Sequence, residues 1–106
     1  MQNITAPTIR IRTRESGETV QVTEWTVGAY TLRKSEEPGY IGWGAINADR
    51  TRPRVEDIAG FGQPVEFGVS CSSISDLSPE GAIAYAAQVV EAAETAKAFN
   101  EIIAAN

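Results

Sequence analysis

The chain has 106 residues, 42% of them hydrophobic and 22% charged, a length that accommodates one hydrophobic core and a composition that excludes a mainly disordered chain. Histidine is absent and cysteine occurs once, which excludes an internal disulfide, a structural zinc site of Cys and His ligands, and every nucleophile that depends on a histidine base. The net charge of −5 is unevenly spread: residues 1–54 carry eight Lys/Arg against six Asp/Glu, and residues 55–106 carry one against eight.

Residues 1–7 read as a loose leader within a single domain spanning 1–106. They lack the basic start and apolar block of a secretory signal, so a cytoplasmic location is expected. Thr8 to Thr13 alternates Ile9 and Ile11 with Arg10 and Arg12, the period of a half-buried strand with isoleucine in and arginine out. A polar turn at Glu15-Ser16-Gly17-Glu18 leads into Thr19 to Thr23, which resumes the alternation and completes a hairpin. Trp25 and Val27 have the opposite phase to Val20 and Val22, which predicts a bulge or break near Glu24. Tyr30 to Arg33 is a further short strand. The charged turn Lys34 to Gly39 ends in a Pro-Gly pair suited to type II geometry, and Tyr40 to Ile46 returns as the partner strand. Gly42 and Gly44 leave one face of that strand nearly bare, so that a backbone or an aromatic side chain could lie against it.

Residues 47–64 hold two prolines and unpatterned charges, and read as an irregular connection with one helical turn around Val55 to Ala59. Val65 to Val69 alternates cleanly as the last strand, with Val65, Phe67 and Val69 inward and Cys71 as a buried residue at its end. Ser78 as N-cap, Pro79 at the first helical position and Glu80 in the first turn then open a helix over 79–104. At 100° per residue, Ala82, Tyr85, Ala86, Val89, Ala93, Ala96, Phe99 and Ile103 gather on one side, opposite Glu80, Gln88, Glu91, Glu94, Thr95 and Glu101. The fold class is therefore α+β: a small antiparallel sheet of about five strands followed by one long C-terminal helix packed on one face. At about 1.5 Å per residue such a helix runs nearly 40 Å, beyond the roughly 20 Å of a typical strand. Its last turns are thus expected to overhang the sheet, leaving Phe99, Ile102 and Ile103 as an oligomer interface and making the protein a homodimer.

Catalysis is not expected. The adjacent carboxylates Glu36-Glu37 and Glu56-Asp57 fall in a turn and a loop without a pocket to raise one pKa, and neither GxxxxGK[ST] nor GxGxxG is present. No cofactor and no metal are implied. The stretch Ala82 to Val90 falls well short of the roughly 20 residues that cross a bilayer, so no membrane association is expected. Arg10, Arg12 and Arg14 project from one strand face, and Arg50, Arg52 and Arg54 repeat the spacing. Converged, and joined by Tyr40 and Trp43, they would form a basic surface for phosphates, as in a nucleic-acid-binding regulator. A second alternative is an acidic decoy of a nucleic-acid-binding protein, formed by Glu80, Glu91, Glu94 and Glu101 with Asp76. The leading expectation is a non-enzymatic accessory protein that binds another protein through a dimeric scaffold, because overall negative charge disfavours nucleic acid.

Leu77-Ser78-Pro79-Glu80-Gly81-Ala82, followed by Ala86-Ala87 and Glu91-Ala92-Ala93-Glu94, resembles the ending of small uncharacterised proteins of actinobacteria and their bacteriophages, where strands precede an LSPEEA-type alanine-rich helix. The resemblance covers about a quarter of the chain, and Gly81 stands where glutamate is more usual. It implies a phage or mobile-element accessory protein, placed in the host cytoplasm if phage-encoded, and brings no catalytic residues.

Overall fold

The computed structural model describes residue 4, residues 6–71 and residues 76–106. The chain opens with a four-stranded antiparallel meander: β1 (Thr8–Thr13), β2 (Thr19–Val27), β3 (Tyr30–Glu37) and β4 (Tyr40–Asn47), in the spatial order β1-β2-β3-β4. The two tight turns fall at Gly28-Ala29 and Pro38-Gly39, and the φ of +77° at Gly39 is the left-handed value that a Pro-Gly type II turn demands. The bulge expected near Glu24 does not form. β2 pairs without interruption with β1 from Thr19 to Glu24 and with β3 from Gln21 to Val27. Both phases of β2 are apolar because each face of the sheet is covered by something different: Trp25 and Val27 face the core, while Val20 and Val22 lie under arginine stems on the other side.

Residues 47–64 are more ordered than their composition predicts. Arg54–Asp57 is a strand, β5, rather than a helical turn, and it pairs antiparallel with β6 (Phe67–Ser70) as a separate two-stranded sheet. Two asparagines tie this ribbon to its neighbours by imitating a strand backbone. The Asn47 side chain accepts from Val55 N–H at 2.8 Å and donates to Val55 C=O at 3.0 Å. From the other side, Asn100 accepts from Phe67 N–H at 2.8 Å and donates to Phe67 C=O at 3.1 Å. The backbone groups that β5 and β6 would leave open at these points are thereby paired. The buried Tyr30 hydroxyl donates to Pro53 C=O at 2.6 Å and fixes the connection into the ribbon.

The helix α1 spans Pro79–Ala105, one residue longer than its sequence signals predict. Ser78 accepts from Gly81 N–H at 3.0 Å as the N-cap. The core lies between α1, the β5–β6 ribbon and the inner face of the meander, and gathers Trp25, Val27, Tyr30, Leu32, Val55, Phe67, Ala92, Ala96, Phe99 and Ile102. Trp25 stacks on Trp43 at 5.8 Å, and Phe67 meets Phe99 edge-on at the same distance. Lys34 lies over Trp43 and donates to Asn106 C=O at 3.3 Å, which places a cation at the negative end of a helix whose last turn has none.

Helix and sheet do overlap only partly, but the overhang is the reverse of the one expected. Phe99 and Ile102 are buried within their own chain and Ile103 packs against the same core, so these three residues do not form an exposed interface. The buried stripe is also turned from the expected one. Thr95 is fully buried, its hydroxyl satisfied by donating to Glu91 C=O, whereas Ala82, Ala86 and Ala93 are exposed. It is the first half of α1 that extends past the body, and at the far end of the molecule the sheet extends past the helix. There Ile9 and Ile11 of β1 are 62% and 67% exposed although they share the inner face with Thr23 and Gln21. The result is an elongated shape of 55 × 30 × 26 Å. Among the described residues no helix is long and apolar enough to cross a membrane.

Candidate functional site

The outer face of the meander, turned away from α1, holds a trough of about 530 Å³. Strand alternation places Arg10 and Arg12 of β1, Val20 and Val22 of β2, Arg33 and Ser35 of β3, and Tyr40 of β4 on that one face, with Arg14 beside them in the first turn. Val20 and Val22 form its floor. The Tyr40 ring lies across Gly42, where an added Cβ would stand 2.8 Å from the hydroxyl, so the bare strand face is occupied by an aromatic of the same chain. Three of the four guanidiniums are already committed. Arg10 and Arg33 clasp Glu24 at 2.9 and 2.8 Å, and Arg14 pairs with Glu37. Arg12 has no carboxylate partner among the described residues.

The hydrogen bond from Arg33, with Arg10 alongside, holds the Glu24 carboxyl below its ordinary value of 4.5. A carboxylate whose folded pKa is depressed adds stability that is fully present above the unfolded value and is lost as pH falls through the lower folded value. The urea midpoint of the wild-type protein is therefore expected to fall more steeply between about pH 5 and pH 3 than that of Glu24→Gln. Parallel curves would show that the clasp does not perturb Glu24.

The second arginine trio does not join this trough. Arg52 bonds Asp49 at 3.2 Å and Glu91 of α1 at 3.0 Å, Arg54 pairs with Glu56 at 3.5 Å, and Arg50 is exposed in the loop before β5. Tyr40 and Trp43 are likewise parted: three residues apart on one strand, they point to opposite faces, Tyr40 outward and Trp43 onto Trp25. Cys71, expected in the core, is exposed one residue past β6. Of the helix carboxylates, Glu91 is drawn to Arg52, while Glu80, Glu94 and Glu101 face solvent.

The feature that the periodicity argument missed is the first half of α1. Gly81 to Val90 contains no charged residue, and its single polar amide is Gln88. Tyr85, Gln88 and Val89 turn partly towards the body, yet the opposite side is also apolar, with Ile83 72% and Val90 57% exposed alongside Ala86 and Ala87. Leu77, just before the cap, is exposed as well. The signal was present as a ten-residue uncharged run, but assigning one core face to the helix concealed that the run is apolar around its whole circumference. A helix segment of that kind is ordinarily buried on more than one side.

No family model, no curated protein and no solved structure matches this chain.

Proposed function

We propose that this chain is a non-enzymatic interaction protein whose working surface is the exposed back of the first half of α1. The observation that carries the reading is the exposure of Ile83 and Val90, seven residues apart on one side of a segment without charge. Lone exposed apolar residues are common on soluble proteins, but a continuous apolar strip on a projecting helix is the usual footprint of helix-mediated recognition. The Leu77–Ala82 stretch resembles the ending of small uncharacterised proteins of actinobacteria and their bacteriophages, a resemblance that implies an accessory role. A photo-reactive amino acid at Ala87 is expected to cross-link a protein in expressing cells. The same probe at Glu101, on the polar part of the same side, is not. Equal cross-linking at the two positions would refute the reading.

The trough supports a second, weaker reading as a nucleic-acid-binding regulator, resting on Arg12 and the exposed Tyr40. Arg12 is the guanidinium left over for phosphate once Glu24 and Glu37 have taken the others. Binding of this kind would weaken steeply with salt, whereas docking on the apolar helix would not.

A further inference from the structure

Resting on the reading of α1 as the working surface, we infer that its occupant is a second copy of this chain, packed antiparallel along the helix back about a two-fold axis between Ala86 and Ala87. Ile83, Ala86, Ala87 and Val90 are spaced i, i+3, i+4 and i+7, the seam by which two helices interlock. Alanines at its centre let the two backbones approach closely, and the larger residues fill the space on either side.

Charge decides both the partner and the direction. Pairing about that axis sets Ile83 opposite the second copy's Val90, and carries Lys97 just past the first turn of the second copy's helix, where Asp76 precedes the Ser78 cap. Lys97 is the single basic residue of α1. It is exposed on the same side of the helix as Ile83 and Val90, and it has no acidic partner among the described residues. In the antiparallel pair it lies at the acidic N-terminal end of the second copy's helix, where Asp76 and Glu80 are the nearby carboxylates, while Glu94 comes opposite Pro79 at the positive end of that helix. In a parallel pair Lys97 would meet Lys97 and Glu94 would meet Glu94, and like charges held together oppose association. The body of each chain lies on the far side of its own helix, so the seam is open along the overlap. Beyond Val90 the same side of the helix carries the exposed Glu94, Lys97 and Glu101, which ends the apolar strip.

Light scattering is expected to report twice the 11.4 kDa chain mass. Ile83→Glu, at a site exposed in the single chain, is expected to give a monomer with an unchanged circular dichroism spectrum, since it places a carboxylate in the seam and weakens association by about 100-fold or more. Lys97→Glu is expected to weaken the dimer by about tenfold, and Asp76→Lys combined with Lys97→Glu to restore it, an outcome that a merely structural lysine would not produce. With Cys71→Ser removing the native thiol, Ala87→Cys is expected to form a disulfide-linked dimer on oxidation, and Ala104→Cys to remain monomeric. A monomer at all concentrations would overturn the inference, as would a mass that climbs without limit, which marks head-to-tail assembly on Ile9 and Ile11. If the photo-probe at Ala87 captures a different protein and never a second copy, the inference fails while the interaction role stands. If it captures nothing beyond the Glu101 control, both fail.

Discussion

Replacing Phe99 by alanine is expected to cost about 4 kcal/mol of folding stability, within the range for deleting a buried phenylalanine from a packed core. Phe99 has no exposed surface and packs edge-on against Phe67 at 5.8 Å and 81°. Its removal forfeits the transfer energy of the ring, the aromatic contact and the packing around the hole. Small domains are stable by about 5–15 kcal/mol, so this one change takes a large share of the total. Measured in the Ile83→Glu background, so that association does not enter, the urea midpoint is expected to fall by about 2 M at a slope near 2 kcal/mol per M. An unchanged midpoint would return Phe99 to the exposed surface that the sequence suggested.

The second large effect is expected at Asn100. Substitution by leucine keeps the branched shape but leaves the N–H and C=O of Phe67 without their side-chain partner, both of which now bond at about 3 Å. Two unpaired backbone groups beside a buried ring cost about 1–3 kcal/mol each, and the expected loss is about 3 kcal/mol. Asn47→Leu is expected to act likewise on Val55 at the opposite edge of the ribbon. Asn100→Leu within about 0.5 kcal/mol of wild type would mean that water replaces the amide there.

These two asparagines also explain why part of the fold was hidden. Asn47 and Asn100 have unremarkable sequence surroundings, and their roles depend on Val55 and Phe67 arriving beside them from eight and 33 residues away. Without them, Arg54 to Asp57 is a short charged segment between prolines that no local pattern marks as a strand. The hairpins and the helix start were legible because their causes are local. Alternation set β1 and β2, Pro38-Gly39 set the third turn, and Ser78-Pro79-Glu80 set the cap. For the candidate site, the exposed seam residues could be found in the uncharged run from Gly81 to Val90, whereas Arg33 could join Arg10 around Glu24 only once β1 and β3 flanked β2.

What the sequence determined by itself was the elements and their limits, because backbone hydrogen bonding, capping and turn sterics are decided by residues a few positions apart. Which faces are covered was decided only in the tertiary structure. Helical periodicity states which residues share a side, but not how far along its length a helix meets the sheet. Here the pairing of Asn100 with Phe67 seats the second half of α1 on the core, Lys34 donates to the carbonyl of the C-cap Asn106, and Phe99 is buried. The uncharged first half is thereby carried past the body, where Ile83 and Val90 meet solvent.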